Sequence, residues 1–103
     1  MNTPVIHECQ DMAQVRQRID ALDTRIVALV AERSAYVAQA GRIKERADQV
    51  HDQARIDFII ARVTAMARAL GAPAAVVEAT YRAMIDASIE FEHGEFARLH
   101  TEA

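Results

Sequence analysis

The sequence predicts an all-α fold of three helices, the first very long, assembled as an intertwined homodimer. Three observations carry this. Apolar residues recur at helical spacing over most of the chain. Only three glycines and two prolines punctuate 103 residues, so few turns are available. The first apolar stripe is too long for so small a chain to cover by folding back once. A hydrophobic content of 51% is that of a globular protein rather than a disordered one.

The first helix is expected to open at Asp11, with Gln14 three residues later in the manner of a capping box. Its stripe runs through Met12, Val15, Ile19, Leu22, Ile26, Leu29, Val30, Val37, Ala40 and Ile43, and it ends near Lys44 or Arg46. Gly41 is its only interior glycine, which suggests a close approach by another element. The polar segment 46–51 reads as a connecting loop. A second helix starts near Asp52 and carries Ile56, Ile59, Ile60, Val63, Met66 and Leu70. Gly71 suits a left-handed stop, and Pro73 suits the first turn of a third helix reaching Leu99. Its stripe is Val76, Val77, Tyr81, Met84, Ile85, Ser88, Phe91 and Phe96. Residues 1–10 read as a flexible segment, and 11–100 as one domain.

Cations stand where this pattern calls for apolar residues. Arg33 and Lys44 fall on or beside the first stripe, with Arg16 near its other end. A charge on an inward face is costly unless an anion meets it. Too few acidic residues share the stripe to meet them, so the counter-charge is expected from a ligand. Arg33 and Lys44 are about three turns apart, on one face and roughly 16 Å along the axis, suiting the two ends of a small dianion. Arg16 lies about 25 Å from Arg33 along the same helix, too far to join them. An antiparallel partner would return its own Arg16, giving two equivalent sites per dimer, each built from both chains. Arg55 begins the second helix, and Ser88 and Glu92 share a face of the third. The plainer alternatives are solvated side chains, an Arg33–Glu32 pair, a dipole-favoured Lys44 at a helix end, and Glu92 as an arginine's partner.

Bulk properties exclude several classes. A formal charge of −3 offers no footprint for nucleic acid. No apolar run reaches membrane-spanning length, and residues 1–10 lack a signal-peptide pattern. The single cysteine, Cys9, cannot form an intrachain disulfide, which fits a cytoplasmic setting. His7, His51, His93 and His100 show no metal-binding spacing, and there is no phosphate loop or nucleophile elbow.

Taken together, the residues resemble the all-helical (AroQ-class) chorismate mutases over about residues 12–98. The likeness runs through Val15-Arg16, Ile19-Asp20-x-Leu22-Asp23, Leu29-x-x-Glu32-Arg33 and Val37-x-x-Ala40-Gly41-Arg42-Ile43-Lys44. It continues in Asp52-x-x-Arg55 and Ile85-x-x-Ser88-x-x-x-Glu92. The resemblance implies an intertwined dimer, no metal or organic cofactor, and rearrangement of chorismate to prephenate. It implies that Arg33 and the partner's Arg16 hold the substrate carboxylates. Lys44 would meet the ether oxygen and a carboxylate, and Arg55 would add a carboxylate contact. Asp52 would border the ring hydroxyl through its backbone, and Ser88 would line the carboxylate end. Glu92 stands where many members have glutamine, opposite Lys44 on the ether oxygen; Arg33, Lys44 and Glu92 form the implied catalytic set.

There are two departures. Ile56 stands where the family often has a glutamate that binds the ring hydroxyl. An apolar residue there, Cys9 seven residues before Arg16, and the Tyr36-Val37 pair are similar to a related branch, the isochorismate-pyruvate lyases. Ser88 is mutase-like, and Glu92 replaces the glutamine expected of a lyase. The expectation is a chorismate mutase; the alternatives are the lyase and a non-catalytic helical dimerisation module. Because an ordinary glutamate is ionised at neutral pH, donation by Glu92 to an ether oxygen requires protonation, so activity is expected to rise toward acid.

Overall fold

A computed structural model describes residues 3–101; residues 1–2 of the expected flexible segment lie outside the described residues, as do 102–103. Three α-helices follow in order, α1 (Met12–Ile43), α2 (Gln53–Ala69) and α3 (Ala74–Leu99), with a short 3-10 turn, Ala47–Gln49, between the first two. No strand occurs among the described residues.

Helix α1 starts where local chemistry supplies a partner for an orphan amide. The Asp11 carboxylate accepts from the Gln14 backbone N–H at 2.9 Å. Gln14 Oε1 reaches back to the Gln10 N–H at 2.8 Å, one residue before the position a strict capping box would use. The helix runs for 32 residues without a break. It ends because Lys44 turns to an extended conformation, with ψ 143°, after its N–H has bonded the Ala40 carbonyl.

The connection differs from a simple polar loop. Gln49 Oε1 accepts from the amides of both Glu45 and Arg46, at 2.9 and 3.1 Å, folding the segment into a tight turn. That turn drives Val50 inward until it is only 3% exposed. Val50 is a core residue in a stretch whose composition advertised none, because the turn's backbone geometry, not hydrophobic periodicity, buries it.

Helix α2 begins with Asp52 accepting from the Arg55 N–H at 3.1 Å. It ends in a complete Schellman motif. The Ala72 N–H bonds the Ala67 carbonyl and the Gly71 N–H bonds that of Arg68, with Gly71 at φ 72°. Pro73 sits at the N-cap of α3, one position before the first-turn place expected of it. Its carbonyl takes the first amides of the helix, from Val76 and Val77.

Helix α3 packs against both other helices, which do not pack directly on each other. The core is correspondingly small: Val50, Ile60, Val63, Ala67 and Ile85. Thr64 is buried among them, its hydroxyl donating to the Ile60 carbonyl at 2.8 Å. The radius of gyration is 17.2 Å, against about 13 Å for a compact chain of this length. The excess comes from α1, where every residue from Arg16 to Glu32 is exposed. Its apolar stripe is bare, with Ile26 53% and Leu29 62% exposed. Helices in proteins owe most of their stability to packing of an apolar face, and here that face is uncovered.

Gly94 lies inside α3 with nothing within 4 Å of where a Cβ would stand. Gly94→Ala is expected to raise unfolding stability by about 0.5–1 kcal/mol through the lower backbone entropy of the unfolded chain. Urea denaturation measures it; a lower midpoint at unchanged slope would show that the position needs its glycine.

Candidate active site

The C-terminal half of α1, the start of α2 and the C-terminal half of α3 enclose a cavity of about 330 Å³, at the small end for ligand pockets. Six of the seven residues expected at a site line it: Arg33, Lys44, Asp52, Arg55, Ser88 and Glu92. Helical periodicity explains each helix's share. Arg33, Val37, Ala40 and Lys44 follow one face of α1, and Ile85, Ser88, Ile89 and Glu92 one face of α3.

Two polar contacts tie α1 to α3. Arg33 Nη1 donates to Ser88 Oγ at 3.2 Å, so this arginine does not pair with the neighbouring Glu32. Lys44 Nζ meets Glu92 Oε2 at 2.5 Å. Glu92 is buried, 7% exposed as a residue, whereas the lysine keeps partial access to water. Glu92 is thus the partner of a lysine rather than of an arginine. Lys44 is also the C-cap of α1, where the helix dipole favours a cation.

Asp52 uses its carboxylate to cap α2, and the residue lines the cavity. The Arg55 guanidinium lies over the Phe58 ring, 5.1 Å from its centroid, in cation–π geometry. It is exposed and reaches the cavity from the rim. Neither Arg33 nor Arg55 makes an ion pair among the described residues. With Glu92 engaged by Lys44 and Asp52 by the α2 amide, the cavity wall holds two cations whose counter-charge the described residues do not supply. Apolar side chains complete it: Tyr36, Val37, Val50, Ile56, Ile59, Ile85 and Ile89.

Arg16 is not brought to this cavity. It sits exposed on the bare half of α1. Sequence reasoning passed over Val50 and Ile89. Ile89 carried a signal, four residues after Ile85 and beside Ser88. Val50 carried only its being the lone bulky aliphatic residue in a polar connection. Among the described residues no group of three or more His, Cys, Asp or Glu side chains is placed to hold a metal ion. No helix among the described residues is long and apolar enough to cross a membrane.

Fold and cavity together define an all-helical protein with a small pocket that carries Arg33, Lys44 and Arg55 among apolar side chains. A family model described as chorismate mutase type II matches residues 15–93, more than three quarters of the chain. The chain belongs to this family, the AroQ class of chorismate mutases. A search of curated proteins returns no match.

Proposed function

We propose that the chain catalyses the rearrangement of chorismate to prephenate. The observation that carries the reading is the pair of arginines without an ion pair among the described residues, Arg33 and Arg55, in one small cavity with the Lys44–Glu92 contact. The reaction is an isomerisation: an ether C–O bond breaks, a C–C bond forms, and no atom is gained or lost. It needs no nucleophile and no obligatory proton transfer. The site must hold a dianion in a compact reactive conformation and stabilise charge developing on the ether oxygen. Arginine forks suit the carboxylates because they bind bidentately. Lys44 is the donor to the ether oxygen, and Glu92 stands beside it on the other side.

The bare stripe on α1 supports an antiparallel homodimer. The stripe runs from Met12 to Ile43 and is centred near Val27 and Ala28. A two-fold axis at that centre brings the partner's Arg16 level with about Gln39, within a turn of the cavity-lining Tyr36 and Ala40. Each site then gains a third arginine from the other chain.

A second reading has one observation in its favour. Ile56 lines the cavity where the family often has glutamate, so the ring hydroxyl meets an apolar wall there. This favours isochorismate-pyruvate lyase activity, yielding salicylate and pyruvate. Assays on chorismate and isochorismate in parallel decide. Prephenate from chorismate at the higher kcat/KM is expected; faster salicylate release from isochorismate would assign the lyase, and no turnover of either would leave a dimerisation module.

Glu92→Gln tests the assignment to the ether oxygen. An ether oxygen only accepts hydrogen bonds, and a glutamine amide donates where a carboxylate does not. Glu92→Gln is therefore expected to keep or raise kcat on chorismate. A tenfold loss of kcat in the folded variant would remove Glu92 from the ether oxygen.

A further inference from the structure

Gly41 is the one buried residue of α1, in a helix interior where glycine costs about 1 kcal/mol relative to alanine. Its conformation does not require glycine, since Gly71 is the glycine with positive φ among the described residues. What requires it is the approach of α3. A Cβ at position 41 would stand 3.3 Å from Glu92 Cγ, 3.3 Å from the Glu92 carbonyl oxygen and 3.4 Å from the Phe96 nitrogen. The residue pressed against Gly41 is therefore the one whose carboxylate meets Lys44, which lies a single turn further along α1.

We propose that Gly41 is a positioning residue for the reaction: its lack of a side chain sets the α1–α3 spacing at which Glu92 and Lys44 meet. The inference rests on the reading of the cavity as a chorismate site. Two of the three atoms nearest the added Cβ are main-chain atoms of α3, which cannot move singly within a hydrogen-bonded helix. Relief comes from α3 backing away by a few tenths of an ångström and from Glu92 Cγ turning aside. Both widen the gap that the Lys44–Glu92 contact spans. The Arg33–Ser88 contact lies about two turns away along α1 and moves less. The substrate's carboxylate grip is thereby separated from the geometry at its ether oxygen, and the two report in different kinetic constants.

Gly41→Ala is expected to lower kcat on chorismate by about five- to tenfold while KM stays within about twofold, given that a misplacement of a full ångström costs about a hundredfold. Gly94→Ala, on α3 with open space around it, is the control and should leave kcat unchanged. Thermal melts confirm that each variant is folded at the assay temperature. Crystal structures of both proteins should show the Lys44 Nζ–Glu92 Oε2 separation larger in Gly41→Ala than in the wild type. A folded Gly41→Ala with wild-type kcat, or with that contact unchanged, would overturn the assignment. If the wild type turns over neither chorismate nor isochorismate, the functional reading fails, and the crystal structures alone decide whether Gly41 sets the contact.

Discussion

Lys44→Ala is expected to lower kcat/KM on chorismate by about a thousandfold, mostly in kcat. Removing one preorganised donor from a site where negative charge develops costs about a hundred- to a thousandfold. Lys44 also adds positive charge for a carboxylate, so the effect belongs at the upper end. The ammonium is well placed for this because α1 ends there. Its backbone has left the helix, its side chain reaches across to α3, and the carbonyls of the last turn add a negative potential that holds the cation. The variant has a second consequence. It leaves Glu92, 7% exposed, without its cationic partner. An unpartnered buried polar group costs about 1–3 kcal/mol, and the partial exposure of Lys44 to water places the expected loss toward the low end. Pre-steady-state turnover and urea melts measure the two effects separately. A variant keeping a tenth of wild-type kcat/KM would show that the ether oxygen is stabilised by another group.

Arg33→Ala is expected to reduce kcat/KM by about a hundred- to a thousandfold, equivalent to roughly 3–4 kcal/mol of lost transition-state binding, and to leave the protein folded. Arg33 is half-buried, without a carboxylate partner among the described residues, and its contact with Ser88 is to a neutral hydroxyl. Its removal therefore strands no charge of the protein. What it removes is a fork for the ligand carboxylate. The same variant tests whether sites are shared. If each site joins Arg33 of one chain to Arg16 of the other, Arg16→Ala and Arg33→Ala are both nearly inactive. Equal amounts of the two, unfolded and refolded together, form mixed dimers with one site fully restored. Random assortment gives about a quarter of wild-type activity in the mixture. An active Arg16→Ala would place Arg16 outside the site; two inactive variants with no recovery on mixing would show that the site is not shared between chains, and sedimentation equilibrium shows whether the dimer forms.

The helices were legible because their determinants are local. Asp11 and Asp52 cap the first two helices as short polar side chains before apolar periodicity do, and Gly71 stops α2 in the left-handed conformation only glycine adopts freely. Gly41 was legible as a point of close approach, though not what approached it. Arg33, Lys44, Arg55, Ser88 and Glu92 were legible as polar residues on inward faces. The Val50 contact was not, because a single apolar residue has no period, and its burial follows from the side-chain hydrogen bonds of Gln49.

The sequence by itself determined three helices, their ends, and which face of each carries charge, because backbone hydrogen bonding repeats every 3.6 residues and caps act within one turn. It also determined, by distance along α1, that Arg16 cannot reach Arg33 within one helix. Only the tertiary structure decided that Lys44 meets Glu92 and Arg33 meets Ser88, residues 48 and 55 positions apart. Those pairings depend on how far α3 slides and rotates against α1. That register is set by the whole packed surface, with the missing side chain at Gly41 fixing the closest point.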